Sequence, residues 1–285
     1  MTTDPRYPRR LLPVPDHWQM QQLLWTDVSE PSGCLRLRED LDPAELAASV
    51  YLANARLFLS LMGESGIPAT AKGNLGRAFV LAVNERMRFS DYDGEWRPYI
   101  KVHKEDDMWP LHVLRVVLTV GGAIRKYRGR FLVTKRGVEL GADERAGALQ
   151  AHLLRTFFGK FNLSYLDRFR DDSTFQSTVA YSLFMMRRIG DEWKTPERLR
   201  EFSQLGLRFM EEIDEQGRRD RQWIFDHRLL RPLENFGLLE TRLGAPLIGG
   251  DGLSRKRYEV RKTALYDRLV TFELPPGAPP RGERP

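Results

Sequence analysis

WPLHVLRVVLTVGGAIRKYRGRFLVTKRG, residues 109–137, is the stretch that decides the fold class of this chain. A proline at its second position is typical of a first helical turn. Gly121-Gly122 indicates a helix stop, because glycine readily adopts the left-handed cap conformation. Two short segments follow, Ala123–Tyr127 and Arg130–Thr134, joined by a tight turn at Arg128-Gly129. The stretch therefore predicts a helix followed by a β-hairpin with a basic tip.

A similar order of residues recurs near the C-terminus. A predicted helix at Arg218–Phe236 ends at Gly237, and two strands follow at Leu238–Arg242 and Tyr258–Thr263. The longer separation of these strands predicts an enlarged hairpin loop at Leu243–Arg257. The repeat is an internal echo that could also arise by chance. We expect a mainly α fold with small β-hairpins (α+β), built from two tandem winged-helix-like units packed through a helical connector.

The predicted organisation has five parts. They are a flexible arm at 1–16, a first winged-helix-like unit at 17–141, a connector at 142–171, a second unit at 172–274 and a disordered tail at 275–285. Within the first unit, helices are predicted to begin at Asp42-Pro43 and to span Asn74–Met87, and Phe89–Asp107 is predicted to be a polar loop.

The connector carries a strongly apolar helical face. Its members are Leu149, Leu153, Leu154, Phe157, Phe158 and Phe161. A face of this kind must be buried, so we expect the two units to pack together rather than to hang on a free linker.

Composition allows several classes of partner and excludes few. The chain has 285 residues, a formal net charge of +6 and a pI of about 9.5. A basic balance permits binding to nucleic acid or to an anionic surface, although scattered surface charge explains it equally well. Cys34 is the single cysteine, which fits a reducing, cytoplasmic setting. The most apolar run, Leu111–Ile124, is interrupted and too short to cross a bilayer, so no membrane association is expected.

Four segments in order carry a resemblance to a known family: PATAKGNLGRAFV at 68–80, the 109–137 stretch, LLRTFFGKFNLSYLD at 153–167 and TVAYSLFMMRRIGDEW at 178–193. Together they resemble the helical region that follows a plasmid open-reading-frame-three-like domain in bacterial proteins often labelled transposon passenger proteins. The similarity covers roughly residues 20–273. It implies a style of fold and a bacterial or mobile-element context, and it implies no activity.

The first hairpin is the strongest candidate for contact with phosphates. Its cations include Arg125, Lys126, Arg128 and Arg130, with no acidic residue between Gly121 and Gly137. Such groups can neutralise a nucleic-acid backbone. They could equally protect an exposed strand edge from aggregation. The preceding helix is almost entirely apolar, so we expect it to lie in the core and to read no bases.

The second unit has the better candidates for reading bases. Arg221, Gln222 and Arg228 lie on its third helix, and Arg255, Lys256 and Arg257 lie in or beside its enlarged loop. Arginine and glutamine suit base edges as well as phosphates. The alternative is a solvated helix face with ion pairs such as that of Arg218 or Arg219 with Glu215.

These patterns predict a protein that binds double-stranded DNA, either a transcriptional regulator or a mobile-element-associated protein. The alternative is a non-enzymatic adaptor that binds a protein partner, or a second copy of itself, through Phe157, Phe158, Phe161 and Tyr165. The two differ in whether the cations cluster on one face or mix with acidic residues.

The sequence offers no motif for catalysis, cofactor binding or metal binding. The five histidines are scattered singly, and the acidic runs Glu105-Asp106-Asp107 and Asp171-Asp172 fit solvated loops. The segment 72–77 has two glycines before a helix but lacks the Gly-Lys-Ser/Thr ending of a phosphate-binding loop. We therefore expect no enzyme activity, no cofactor and no bound metal.

Overall fold

The computed structural model describes residues 14–89, 99, 101–167, 173–204, 221–244, 247–248, 254–255 and 258–276. Within these ranges the chain is mainly helical, with small antiparallel sheets. The predicted α+β class is therefore confirmed. The expected N-terminal arm and C-terminal tail lie largely outside the described residues.

The N-terminal half builds one small sheet among several helices. Its elements are α1 (His17–Trp25), β1 (Leu35–Leu37), α2 (Val50–Met62), β2 (Ile67–Pro68), α3 (Arg77–Asn84), α4 (Trp109–Val120), β3 (Ile124–Tyr127), β4 (Arg130–Val133) and α5 (Lys135–Gly141). Strand β4 lies between β2 and β3, and all pairs are antiparallel. The hairpin is thus an outer arm of a three-stranded sheet, with β3 at its edge.

Helix α6 (Ala146–Arg155) begins the connector and runs into a π-helical turn at Thr156–Lys160. The C-terminal half follows with α7 (Ser173–Ser177), α8 (Val179–Ile189) and α9 (Pro196–Gln204). Helix α10 occupies 221–235, with a π-helical turn at Asp226–Leu230 and a last α-helical part at Arg231–Asn235.

The remaining elements form the second hairpin and the end of the chain. They are β5 (Leu239–Leu243), β6 (Leu247–Ile248), β7 (Ser254–Arg255), β8 (Tyr258–Lys262), α11 (Ala264–Leu269) and β9 (Val270–Phe272). Strand β5 pairs with β8, and Lys194 bridges to Val260 on the other side of β8. Strand β9 pairs with β1 and so joins the two ends of the described chain.

The same hydrogen bonds recur at the base of both hairpins. The Thr134 hydroxyl donates to the Gly122 carbonyl at 2.7 Å, and the Thr263 hydroxyl donates to the Gly237 carbonyl at 2.7 Å. In each case the amide of the threonine donates to the carbonyl of the residue after the glycine, at 2.9 Å. Both glycines have a positive φ, which glycine adopts without strain. The two segments that are similar in sequence are therefore also similar in backbone conformation and hydrogen bonding.

Two predicted helix boundaries were wrong, and one predicted loop contains a short helical turn. Helix α2 begins at Val50 with Ser49 as its cap, not at Asp42-Pro43, because the Asp42 side chain instead caps an isolated turn by accepting from the Glu45 amide. The predicted helix Asn74–Met87 is limited to α3. The predicted loop Phe89–Asp107 ends in a short 3₁₀ helix at Glu105–Asp107, and most of that loop lies outside the described residues.

One hydrophobic core extends through both halves. Phe157 of the connector packs between Tyr51 of α2 and Phe236 after α10, with ring centroids 5.6 and 5.7 Å away. The buried Gln150 amide accepts from the Ser49 hydroxyl and donates to the Phe236 carbonyl. The connector is therefore part of the core, as its apolar face predicts.

Candidate nucleic-acid interface

The tip of the β3–β4 hairpin is a tight two-residue turn. Arg128 and Gly129 have φ values of 45° and 73°, the left-handed pair that suits the twist of a hairpin. Ile124 and Phe131, both almost fully buried, anchor the two strands of the hairpin in the core. The side chains of Arg125, Lys126 and Tyr127 point alternately to the two faces of the sheet, and all three are exposed, so the described part of the chain covers neither face of β3 at these positions.

Arg125, Lys126 and Arg128 are exposed at this tip. The guanidinium groups of Arg125 and Arg128 lie 5.4 and 5.1 Å from the ring centroid of Tyr127. Stacking of this kind orients a guanidinium while its N–H groups stay available for hydrogen bonds. None of the ion pairs formed among the described residues uses these three cations.

Arg130 has a different role from the other cations of the hairpin. Its Nε and Nη2 atoms donate to the carbonyls of Ser65 and Gly66, at 3.0 and 2.9 Å. These bonds tie β4 to the turn that precedes β2. Arg130 therefore positions the sheet, and its guanidinium is already engaged by the protein.

Helix α4 presents a buried apolar surface, and its polar residues are also engaged within the protein. Glu105, expected in a solvated loop, is instead fully buried: it accepts from the Leu75 amide, from Arg115 Nε at 2.6 Å and from His112 Nδ1 at 2.7 Å. That expectation was wrong because the loop folds back onto α4. Burial alone would raise the pKa of Glu105, but the hydrogen bonds from His112, Leu75 and Arg115 outweigh it and lower the pKa below its usual value.

His112 continues this network towards the surface. Its Nε2 lies 3.0 Å from the Tyr165 hydroxyl, and the Trp109 ring stacks on the imidazole at a centroid distance of 5.2 Å. Tyr165 is half exposed. The arrangement joins α4 to the end of the connector, and it leaves no polar group of α4 arranged for reading bases.

The predicted base readers of α10 do not form a reading face. Arg228 is buried and makes a bidentate ion pair with Asp167 at 2.6 and 2.9 Å, so its assignment as a base reader was wrong. The side-chain Oε1 of Gln222 accepts a hydrogen bond from Arg200 Nε at 2.9 Å. Partial burial, and then the charge of Arg200, lower the pKa of Arg221. The side chain of Arg255, and all of Lys256 and Arg257, lie outside the described residues, as do the expected Arg218 and Arg219 pairs.

The second hairpin differs from the first in that acidic residues balance its cations. Arg242 pairs with Glu259 and Arg261 pairs with Glu240, each across the β5–β8 ladder. The guanidinium groups of Arg242 and Arg261 also lie 4.4 and 4.6 Å from the Trp193 ring centroid. This cluster was not predicted from the sequence, although the cross-strand register of Arg and Glu could have indicated it. Cations without carboxylate partners among the described residues thus distinguish the tip of the first hairpin from the β5–β8 ladder of the second.

The aromatic surface expected of an adaptor lies in the core. Phe157, Phe158 and Phe161 are each at most 3% exposed, and only Tyr165 reaches the surface. They are buried because both halves of the chain pack on the connector. This particular protein-binding surface is therefore absent from the folded chain.

Residues 47–147 match the family model of the Y4jL N-terminal domain. The matched range includes α2 to α5, and hence the three-stranded sheet and the first hairpin. Searches of curated proteins and of solved structures give no match.

Neither a metal-binding cluster nor a membrane-spanning helix is found among the described residues. In that part of the chain, no group of three or more His, Cys, Asp and Glu side chains is arranged to hold a metal ion. No helix in the same ranges is long and apolar enough to cross a bilayer.

Proposed function

We propose that this chain binds double-stranded DNA through two winged-helix units, with the first hairpin as the principal phosphate anchor. The observation that carries the proposal is the exposed, carboxylate-free cation group at Arg125, Lys126 and Arg128 at the tip of a tightly turned hairpin. Phosphate contacts made by such groups fix a protein on a duplex without reading its sequence.

The order of elements supports the winged-helix assignment. In the first half, α2, β2, α3, α4, β3 and β4 follow one another, and β4 pairs with both β2 and β3. In the second half, α8, the bridging Lys194, α9, α10, β5 and β8 repeat the order, and β8 pairs on both sides. A helical core followed by a projecting two-stranded wing is the arrangement that a winged-helix unit requires.

The two units would contribute unequally. Helix α4 is buried on its apolar face and Arg228 is committed to Asp167, so the described residues offer few donors and acceptors for base edges. We therefore propose binding with little sequence preference, dominated by release of counterions from the duplex. A mobile-element context is part of the same proposal and rests on the resemblance of the four sequence segments to transposon passenger proteins, whereas a transcriptional role would follow only from the DNA binding proposed here.

Binding to a labelled random-sequence duplex, measured by fluorescence anisotropy over a salt series, tests the proposal. The triple variant Arg125→Gln, Lys126→Gln, Arg128→Gln should weaken binding and reduce the slope of log K against log salt by about 3, close to one for each phosphate that is no longer neutralised. The matched control is Arg86→Gln, Lys101→Gln, Lys104→Gln, which removes the same charge at exposed sites outside the hairpin. Equal losses of affinity in the two triple variants would show that only the net charge of the protein matters. If the unmodified chain bound no duplex at low salt, the proposal would be wrong.

A further inference from the structure

A cavity of about 400 Å³ lies beside the base of the first hairpin, and the tip cations Arg125, Lys126 and Arg128 do not line it. It is formed by α5, α6, the π-helical turn and the loop near Pro31. Four cations line it: Arg136, Arg145, Arg155 and Lys160. Its volume is within the range of small-molecule sites.

Three glutamates, Glu30, Glu39 and Glu139, also line this cavity, all on exposed side chains. Glu39 pairs with Arg155 at 2.6 Å, which neutralises one cation. Arg136, Arg145 and Lys160 form no ion pair within the described structure.

The pKa of His152, which lines the cavity, indicates the sign of the electrostatic field there. Burial, and then Arg136, lower the pKa of His152 to about 4, with Lys160 and Arg155 acting in the same direction. A hydrogen bond to the Gly121 backbone opposes them. The imidazole is therefore neutral near pH 7, and Arg136 Nη2 lies 3.1 Å from its Nδ1. Cations dominate the field at this wall despite the nearby glutamates.

Thr156 provides the second, independent observation. Its side chain is 1% exposed and lines the cavity, and its hydroxyl has no hydrogen-bond partner among the residues that the structure describes. Buried hydroxyls nearly always have a partner, so an unpaired one beside a cavity indicates a missing acceptor or donor. Thr156 also begins the π-helical turn, a distortion that often accompanies functional sites.

We propose that this cavity binds a small oxyanion, a phosphate or a carboxylate, through Arg136 and the Thr156 hydroxyl. Lys160 and Arg145 add positive charge from the exposed part of the lining. The occupant would lie against the residues that pack on Gly121, where α4 ends, and on α5, which follows the hairpin. It would therefore hold together the base of the hairpin that carries the cation tip.

Calorimetric titration of the full chain with inorganic phosphate, and separately with acetate, at constant ionic strength tests this site and distinguishes the two oxyanions. We expect saturable one-to-one binding of at least one of them. Thr156→Val and Arg136→Gln should each weaken it by about tenfold, the equivalent of one charge-assisted hydrogen bond. Thr156→Ser keeps the hydroxyl and should restore binding, which distinguishes a missing hydrogen bond to the anion from misfolding.

Lys135→Gln is the matched charge control, because Lys135 neighbours Arg136 on α5 but does not line the cavity. It should leave the affinity unchanged. No saturable binding of either anion, or equal losses in Lys135→Gln and Arg136→Gln, would overturn the proposal.

A pH titration of the His152 side chain, followed by NMR, gives a second measurement of anion binding. The groups that face His152 are Arg136 of α5, Arg155 of α6 and Lys160 of the π-helical turn, with Thr156 and the Gly121 backbone. A bound anion partly cancels these cations and should raise the pKa of His152 from about 4. Binding that left this pKa unchanged would locate the anion elsewhere and overturn the assignment.

Discussion

Arg228 contributes to stability rather than to recognition. Both members of its pair with Asp167 are almost fully buried, so removing one leaves an uncompensated charge in the core. Arg228→Ala should lower the free energy of unfolding by about 3–5 kcal/mol, measured by urea titration. Arg198→Ala removes an exposed partner of Glu201 and should cost much less. Comparable losses in the two variants would contradict the buried pair.

Glu105 should make stability depend on pH. Its pKa is lower in the folded chain than the value of about 4.3 that is usual for an unfolded glutamate. The stability it adds is therefore present above that value and is lost as the pH falls through the lower folded pKa. Glu105→Gln should be markedly less stable than the unmodified chain at pH 6, and the difference should shrink below pH 4. Urea titrations at each pH measure this difference in the free energy of unfolding. A difference that stays constant from pH 6 to pH 3 would show that the titration of Glu105 does not cause it.

At the scale of single elements, the two threonines at the bases of the hairpins invite a paired test. Each hydroxyl donates to a glycine carbonyl, but Thr134 also caps α5 by accepting from the Gly137 amide, whereas Thr263 makes no such cap. Thr134→Val should therefore cost about 1–3 kcal/mol and Thr263→Val about 1 kcal/mol, from the values typical of caps and hydrogen bonds. Thermal unfolding of both variants checks the order, and a larger loss at Thr263 would contradict it.

The hairpins were predictable because their signals are local. Gly122 and Gly237 end helices, and Arg128-Gly129 makes a tight turn, through backbone preferences that neighbouring residues reveal. Helix boundaries were harder, because Asp42-Pro43 has the form of a helix start and yet caps only a turn. Local patterns identify what a segment can form, and tertiary contacts decide where it begins.

The candidate site was harder to predict for the same reason. Glu105 and Arg228 lie in charged stretches of sequence that are typical of solvated surfaces. Only contacts with other segments of the chain bury them. Arg125, Lys126 and Arg128 stayed accessible because the first two lie near the end of β3 and the third lies in the turn that follows, at the tip that a basic hairpin predicts. The sequence therefore identifies exposed cations where the local geometry enforces exposure, and it misplaces those that pair over long separations.

At the scale of the whole molecule, the shared core should make the two halves unfold together. Phe236 follows α10, yet its ring packs on Tyr51 and Phe157, and its carbonyl accepts from Gln150. No boundary free of such contacts separates the described halves, so loss of either one exposes apolar surface of the other. We expect a single calorimetric transition whose van't Hoff and calorimetric enthalpies agree.

Phe236→Ala tests this coupling directly. Its ring is fully buried, so truncation should cost about 3–5 kcal/mol. The single transition should move to lower temperature without splitting, because the cavity weakens a core that both halves use. Val138→Ala, at an exposed site on α5, is the control and should change the midpoint little. Two separate transitions in the unmodified chain would show that each half is stable alone, and the connector would then be an interface between domains rather than the centre of one core.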